Sequence, residues 1–160
     1  NTEIAWGKRL NSLKRLQSLA VGGACEYEIF FNLLVNIQPQ LAIQASDLRS
    51  QIAKEACKTL VVISEVAGVA FSHVVEKFIC KNGLLKVLNC GTKVITDAVN
   101  QCILHLIKNA PSAKVVPKVV EEMKSKNANL RAKLSQYLSE MIHNDHMTHK
   151  EKILDSFQHG

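Results

Sequence analysis

The fold of this chain is decided by the stretch Ala45–Ala67, ASDLRSQIAKEACKTLVVISEVA. It opens with Ser46 and Asp47, whose short side chains carry an oxygen that can accept the free backbone N–H groups of a first helical turn. Arg49 lies in the first turn, away from the apolar face. The apolar residues follow at steps of four and three, on one side of a helix: Leu48, Ile52, Ala56, Leu60, Ile63 and Ala67. The stretch therefore predicts an amphipathic helix with one buried side and a basic residue at its start.

The same pattern returns along the chain at regular intervals. The pair Leu48-Arg49 recurs as Leu130-Arg131, 82 positions later, which is two periods of about 41 residues. Similar helix starts lie midway between them, at Lys93, and one period before the first pair, at Lys8. A period of about 40–47 residues is typical of HEAT and armadillo repeats, in which helical hairpins stack side by side.

The composition also favours helices over sheets. Of the 160 residues, 47% are hydrophobic and only 5% aromatic, with 7 Gly and 3 Pro. Such an aliphatic chain suits stacked helices, and its length suits one domain with a sizeable core. We therefore expect an all-α protein, with residues 1–160 forming a single α-solenoid of about four HEAT-type hairpins. Counted from each basic helix start, the repeat units fall at approximately 1–44, 45–88, 89–124 and 125–160.

Charge and cysteine content narrow the class of protein. The formal net charge is +6 and the pI is about 9.1, which favours an acidic partner surface on protein, nucleic acid or lipid headgroups. No apolar run approaches the roughly 18 residues of a membrane span, and the first ten residues show no signal-peptide pattern. The five cysteines include Cys57, Cys80 and Cys102 at apolar helical positions, so we expect reduced thiols in an intracellular protein.

Turn signals divide the chain into eight predicted helices. Their ranges are 6–20, 26–37 with an extension to 44, 47–68, about 72–88, 93–108, one from 116, 129–143 and 148–157. Gly22-Gly23 and Gly68 end the first and third, because glycine tolerates the left-handed exit conformation. Pro39 is expected to end or bend the second helix, whereas Pro117 falls in a first turn that does not need its N–H. Asn82-Gly83 interrupts the fourth. Residues expected to face inward include Tyr27, Phe30, Phe31, Leu34, Val116, Val119 and Val120.

Basic residues recur at one end of the predicted helices. Short loops imply antiparallel neighbours, so alternate loops of the stack line up along one edge. A helix N-terminus carries partial positive charge, so a basic residue there gains nothing for the fold. A row of such residues indicates a surface for an acidic partner instead. We call this surface the basic edge. It carries Trp6 and Lys8, Ser46–Arg49, Thr92 and Lys93, and Lys126–Arg131.

Trp6, the single tryptophan, has two interpretations. It is either a core or capping residue at the end of the solenoid, or an exposed anchor for a partner. An exposed Trp suits the second role because it offers a large apolar area with little conformational freedom to lose.

Several runs of residues carry a family resemblance. They are Tyr27-Glu28-Ile29-Phe30-Phe31, Asp47-Leu48-Arg49-Ser50-Gln51 and Lys54-Glu55-Ala56-Cys57, together with the start Trp6-x-x-Arg9 and the loop and helix at 126–133. The chain resembles, over nearly its whole length, the tubulin-binding TOG domains of the CLASP microtubule regulators. The run from Asp47 to Cys57 is the most specific part of the likeness, and the other helices match mainly in pattern.

The resemblance implies a flat paddle of HEAT repeats whose intra-repeat loops bind αβ-tubulin. By that likeness Trp6 inserts into tubulin and the basic side chains pair with its acidic face. The contacts that it implies are Trp6, Lys8, Ser46, Arg49, Lys93, Lys126 and Arg131. It also implies a regulator of microtubule dynamics in the cytoplasm, on the microtubule cytoskeleton and spindle. Domains of this family have about six HEAT repeats and this chain has room for about four, so we expect a truncated or shortened domain.

Other functions find less support in the residues. No Ser-His-Asp set, catalytic carboxylate pair or Gly-rich phosphate loop stands out, so we expect no enzyme, no cofactor and no small-molecule substrate. His143, His146 and His149 lie around a predicted loop without a cysteine, so no metal site is expected.

Two binding alternatives stay open. The first is a HEAT scaffold that binds another acidic protein or peptide through a concave or helical face. The second is nucleic-acid binding by the basic edge, although one Trp and two Tyr offer few platforms for stacking bases. In each case we expect a monomeric domain that does not enter a membrane.

Overall fold

The structure, a computed structural model, describes residues 2–90 and 92–158, and the side chains within them except at 2, 3, 90, 146–153 and 155–157. Within these ranges every residue is helix, turn or loop, and there is no strand. The helices are α1 (Thr2–Val21), α2 (Glu28–Ala45), α3 (Ser50–Ala67), α4 (Val69–Ser72), α5 (Leu84–Cys90), α6 (Lys93–Asn109), α7 (Val115–Glu122) and α8 (Ala128–Gln158). Short 3-10 turns lie at Ala24–Glu26 and Val75–Lys77. The predicted all-α class is confirmed.

Four of the helices, α1, α3, α6 and α8, pack side by side in one layer and run in the same direction. Between neighbours, hydrogen bonds at different heights join residues that are similarly far apart in sequence. The separation is 38 to 46 positions between α1 and the α3 segment, 45 between α3 and α6, and 37 between α6 and α8. A separation that stays nearly the same at different heights requires parallel helices. The separations of 45 and 37 positions add up to the 82 positions of the sequence repeat. The division of the chain into repeat units stays a prediction.

The second layer consists of α2, α5 and α7. Each of them packs against the parallel helix that follows it in the chain, α3, α6 and α8 respectively. Because the connecting loops are short, each pair is an antiparallel hairpin. The hairpins stack in chain order, which confirms the predicted helical solenoid of the HEAT type.

The core lies between the two layers. A series of aromatic side chains runs through it, from Phe31 to Phe71 with ring centroids 6.3 Å apart and on to Phe78 at 5.5 Å. Tyr137 of α8 is fully buried, and its hydroxyl donates a 2.6 Å hydrogen bond to Asn100 Oδ1 of α6. Burial, with a smaller contribution from Cys102, raises the pKa of the Tyr137 hydroxyl above its ordinary value, so it stays neutral.

Two glycine exits are confirmed. Gly23, the second residue after α1, has φ of 108°, and Gly68, the first residue after α3, has φ of 53°. Side chains other than glycine rarely adopt this region. The exits therefore end both helices where the sequence predicted.

Predicted helix ends differ in several places. α1 starts at Thr2 rather than Trp6, and α3 at Ser50 rather than Asp47. The predicted extension of α2 is confirmed, since the helix runs to Ala45 with Pro39 inside it, although proline removes one helical hydrogen bond. α8 runs without a break through the predicted loop at Asn144-Asp145, since that stretch contains no glycine or proline and these two residues cost a helix only some tenths of a kcal/mol each. The predicted fourth helix is instead α4, a 3-10 turn and α5. A Cβ on Gly83 would lie 2.4 Å from the Phe78 carbonyl oxygen, so the turn between these elements depends on glycine.

Several side chains expected in the core are exposed. Leu48 precedes the first residue of α3 and is 91% exposed. Tyr27 precedes α2 and is also exposed. In α7 the buried pair is Val115 and Val119, so Val119 lies inward as predicted while Val116 and Val120 point outward. The two pairs of adjacent valines fit either phase of the helix, which is why the predicted face was wrong by one residue.

Candidate protein-binding edge

The parallel layer brings the basic residues to one edge. The N-terminal ends of α3, α6 and α8 lie together there, and the same separations in sequence give the level of each residue. They place Lys8 beside the loop and first turn at the start of α3, Arg49 level with Val94, and Val94 level with Arg131. Neighbouring helices lie about 8–10 Å apart, so the row spans roughly 25–30 Å.

The α1 end of the row is joined to the next loop by an ion pair. Arg9 Nη1 donates to Asp47 Oδ2 at 2.7 Å and also lies 3.3 Å from Gln44 Oε1. Both charged side chains are partly buried. Lys8, one residue earlier, is exposed and has no partner in the part of the chain that the structure describes. The charge of Arg9 is therefore neutralised within the fold, while that of Lys8 is available.

The α2–α3 loop presents Arg49. The Asp47 carboxylate accepts the Arg49 backbone N–H at 2.8 Å, and Ser46 Oγ donates to the Ile43 carbonyl at 2.9 Å. Asp47 therefore caps the loop rather than the first turn of α3, which begins at Ser50. The Arg49 guanidinium is exposed and pairs with none of the described residues.

Lys93 is exposed at the start of α6 but is not free. Its Nζ donates to Asp97 Oδ2 at 2.8 Å, one turn along the same helix. This hydrogen bond and the Asp97 charge raise the pKa of Lys93. The pair is exposed to water, so it holds the ammonium only weakly.

The α7–α8 loop is held by its own side chains. Asn127 Oδ1 accepts the backbone N–H groups of Asn129 and Leu130 at 3.0 and 3.2 Å, so Asn127 caps α8. Arg131 Nη1 donates to the Ser125 carbonyl at 2.7 Å and is only partly exposed. Lys126, at the tip, is exposed and unpaired with respect to the described residues.

The last two loops of the row are joined directly. Asn127 Nδ2 donates to Asn89 Oδ1, at the end of α5, at 3.0 Å. This bond places the α7–α8 loop beside the α5–α6 connection. The structure thus brings the predicted basic residues to one edge but leaves three side-chain cations without a partner among the described residues: Lys8, Arg49 and Lys126.

Trp6 lies within α1 rather than in a loop. The helix begins at Thr2, and the Trp6 side chain is half-buried against the core. The packing favours the first interpretation, in which Trp6 is at least in part a core or capping residue. A role in contact with a partner stays a prediction.

Leu48 is the residue of this edge whose exposure the sequence did not predict. Its spacing to Ile52 placed it on the buried face of α3, but α3 starts two residues later and Leu48 points into solvent. The available signal was Asp47, because an Asp side chain that accepts the backbone N–H two residues later forms a turn before the helix.

Chemistry of other kinds has little support in the described residues. No group of three His, Cys, Asp or Glu side chains among them could hold a metal ion. The side chains of His146 and His149 lie outside those described, and His143 is exposed on α8. Cys25, Cys57, Cys80 and Cys102 are free thiols. None of the described helices combines the length and apolar character needed to cross a membrane.

Comparisons with known proteins identify a family. The family model described as CLASP N terminal matches residues 1–158. A CLIP-associated protein of Arabidopsis thaliana is 33% identical over 136 residues, which cover 84% of this chain and 9% of that protein. CLIP-associating protein 1-B of Xenopus laevis is 28% identical over 137 residues, 86% of this chain and 9% of that protein. Protein CLASP-1 of Caenorhabditis elegans is 27% identical over 158 residues, 96% of this chain and 11% of that protein.

The match covers most of this chain but little of its relatives. The chain spans 9–11% of the length of these three proteins. It therefore corresponds to one part of each relative, and the relatives share that part at 27–33% identity. With the family model matching nearly every residue, the resemblance inferred from the sequence is confirmed, and the chain belongs to the CLASP N-terminal family.

Proposed function

We propose that this chain is a TOG-type domain that binds αβ-tubulin through the basic edge and thereby helps to regulate microtubule dynamics and stability. Its site of action is the cytoplasm, on the microtubule cytoskeleton and spindle. The domain acts as a monomeric binding module without catalysis. The TOG resemblance supports the choice of partner, and the relatives named as CLIP-associated or CLASP proteins support a place in the cytoskeleton.

A single structural observation carries the proposal. Basic side chains lie in one row along the N-terminal ends of parallel helices, and Lys8, Arg49 and Lys126 have no acidic partner among the described residues. Such unpaired charges raise the rate and specificity of association with an acidic surface more than they raise intrinsic affinity. The fold holds them in position, since Asp47 and Asn127 order the loops that carry Arg49 and Lys126.

The proposal divides the edge into two groups. Lys8, Arg49 and Lys126 are the primary contacts, because binding tubulin breaks no bond that they already make. Lys93 and Arg131 must first exchange Asp97 or the Ser125 carbonyl for a tubulin group. Next to these basic residues, Ser46 contributes its hydroxyl and Trp6 contributes the edge of its indole ring. We expect the first group to account for most of the electrostatic attraction.

The test is a charge reversal with a matched control. Arg49→Glu combined with Lys126→Glu should weaken binding to soluble tubulin and to stabilised microtubules by at least tenfold, because two attractions become repulsions. The control is Lys108→Glu with Lys114→Glu, two exposed lysines at the opposite edge, at the end of α6 and the start of α7. Both variants change the net charge equally, so only position differs.

The readouts are equilibrium binding to tubulin, co-pelleting with microtubules and the helical circular dichroism of each variant. Equal loss of binding in both variants would indicate a general charge effect and contradict the edge. Normal binding by the Arg49 and Lys126 variant would remove the edge from the function altogether. Trp6→Ala is informative only with a stability measurement beside it, because its half-buried ring also packs against the core.

A second candidate function has one specific observation in its favour. A groove of about 340 Å³ lies between α1 and α2, with Leu16, Ile37 and Leu41 in its wall and Lys8 toward the basic edge. It would accept an apolar side chain of an acidic peptide, as expected of a HEAT scaffold. Leu16→Ser with Ile37→Ser should then abolish peptide capture while tubulin-edge variants bind the peptide normally.

Binding to nucleic acid is the remaining alternative. It predicts that binding of a DNA or RNA oligonucleotide falls steeply and log-linearly with salt, because phosphate contacts release counterions. Tubulin binding that an excess of RNA does not displace would exclude nucleic acid as the partner of this edge.

A further inference from the structure

The most exposed large apolar side chain among those described is Leu48, at 91%, and it lies within the basic edge between Asp47 and Arg49. Exposed aliphatic residues are common on protein surfaces and alone mean little. This one differs because the loop that carries it is ordered and because the unpaired cation Arg49 follows it directly.

Residues on both sides of Leu48 are held in place. Asp47 accepts the guanidinium of Arg9 through one carboxylate oxygen and the Arg49 backbone N–H through the other, at 2.7 and 2.8 Å. The Asp47 backbone N–H bonds to the Gln44 carbonyl, and the Arg49 carbonyl accepts the N–H of Ile52 at 2.9 Å. Leu48 is thus presented in one place, so little backbone entropy is lost when a partner covers it.

The arrangement gives this edge an apolar point of contact beside its charges. Val94 is level with Arg49 in the neighbouring helix and is 51% exposed, so a second aliphatic group lies next along the row. Trp6, in contrast, is half-buried in the core. An apolar side chain beside an unpaired basic group is complementary to an apolar depression with an acidic residue at its rim.

We infer that Leu48 is the principal apolar contact of the basic edge, inserting into an apolar depression of tubulin while Arg49 pairs with an acidic residue at its rim. Asp47 and Arg9 act as positioning residues for this pair. The inference rests on the proposed function, and it assigns to Leu48 the anchoring role that the resemblance assigned to Trp6.

The test is Leu48→Ser in the full chain, with Val69→Ser as its control. Val69 is 70% exposed and follows α3 at the opposite edge, so the control removes a similar exposed aliphatic group away from the site. Full burial of one leucine corresponds to about 10- to 100-fold in Kd. We expect Leu48→Ser to weaken tubulin binding within that range, Val69→Ser to leave it unchanged, and neither to change the thermal midpoint appreciably.

Salt separates the apolar contact from the charges. The loss caused by Leu48→Ser should be the same factor at 50 and 200 mM salt, because no charge changes, whereas the loss caused by Arg49→Glu should shrink as salt rises. Leu48→Met, which retains the apolar volume, should bind nearly as the unaltered chain does.

The outcomes distinguish the two ideas. Normal binding by Leu48→Ser, with weak binding by the Arg49 and Lys126 charge reversal, overturns this inference and leaves the proposed function intact. Failure of the unaltered, folded chain to bind tubulin or microtubules overturns both. Equal losses in Leu48→Ser and Val69→Ser also overturn the inference, because the effect would then not depend on the edge.

Discussion

At the scale of the residue, Asp47 connects the fold to the candidate site. Its carboxylate accepts hydrogen bonds from Arg9 and from the Arg49 backbone, and its side chain is only 13% exposed. A partly buried charge that holds two donors contributes more than a surface pair, because its loss leaves those donors without a partner. Asp47 is therefore both a structural residue and the support of Leu48 and Arg49.

We expect Asp47→Ala to lower the free energy of unfolding by about 1–3 kcal/mol, through the lost charge-assisted hydrogen bonds. Urea denaturation measures the change. Asp97→Ala is the matched control, since it removes the Asp97–Lys93 pair, in which both partners are exposed to water. Equal destabilisation by the two substitutions would show that the Arg9–Asp47 pair is no stronger than an ordinary surface pair.

At the scale of the element, α2 is continuous although it contains a proline. Pro39 lies well inside Glu28–Ala45, where it cannot donate to the carbonyl four residues earlier. The helix persists because packing of Phe30, Phe31, Leu34 and Leu41 against the core outweighs the local cost. Tertiary packing, rather than local propensity, therefore decides the length of α2.

Pro39→Ala should raise the free energy of unfolding by about 1–3 kcal/mol, because the alanine N–H completes the helical ladder and the ring clash is removed. The same change at Pro117, the third residue of α7, should have little effect, since N–H groups of a first turn have no partner in the helix. Thermal and urea unfolding of both variants test the pair. A stabilisation at Pro117 as large as that at Pro39 would contradict this account.

At the scale of the whole molecule, the stack converts a sequence period into a row of charges. Hydrogen bonds at similar separations keep the four parallel helices in register, so the residues that start each helix reach the same edge. Opposite charges would bind anywhere on a protein of net charge +6 if that charge were spread evenly. The row restricts the attraction to one edge about 25–30 Å long.

Binding of tubulin should therefore weaken about tenfold between 50 and 300 mM salt, as screening shortens the reach of exposed charges. Tubulin binding should depend much less on salt in the triple variant Lys8→Gln, Arg49→Gln and Lys126→Gln. The control triple, Lys58→Gln with Lys108→Gln and Lys114→Gln, removes the same charge away from the edge and should retain most of the salt dependence. Titrations at four salt concentrations give the slopes, and equal slopes for the two triples would contradict the assignment of the row.

The sequence by itself determined that the fold is all-α and that its helical hairpins stack in chain order. It also determined at which ends of the helices the basic residues gather. These follow from local patterns: the apolar spacing of α3, the glycine exits at Gly23 and Gly68, and the 82-residue interval that α3, α6 and α8 reproduce in their contacts. Each of these signals depends on residues close in sequence, or on a period that repeats them.

The tertiary structure alone decided which edge residues are available and which apolar one is exposed. Arg9 is neutralised by a residue 38 positions away, Trp6 is half-buried in the core, and Leu48 is released to solvent because Asp47 forms a turn before α3. Neither the pairing of distant charges nor the first residue of a helix follows from periodicity. Both depend on how the helices pack, which brings distant residues together and determines where each turn must end.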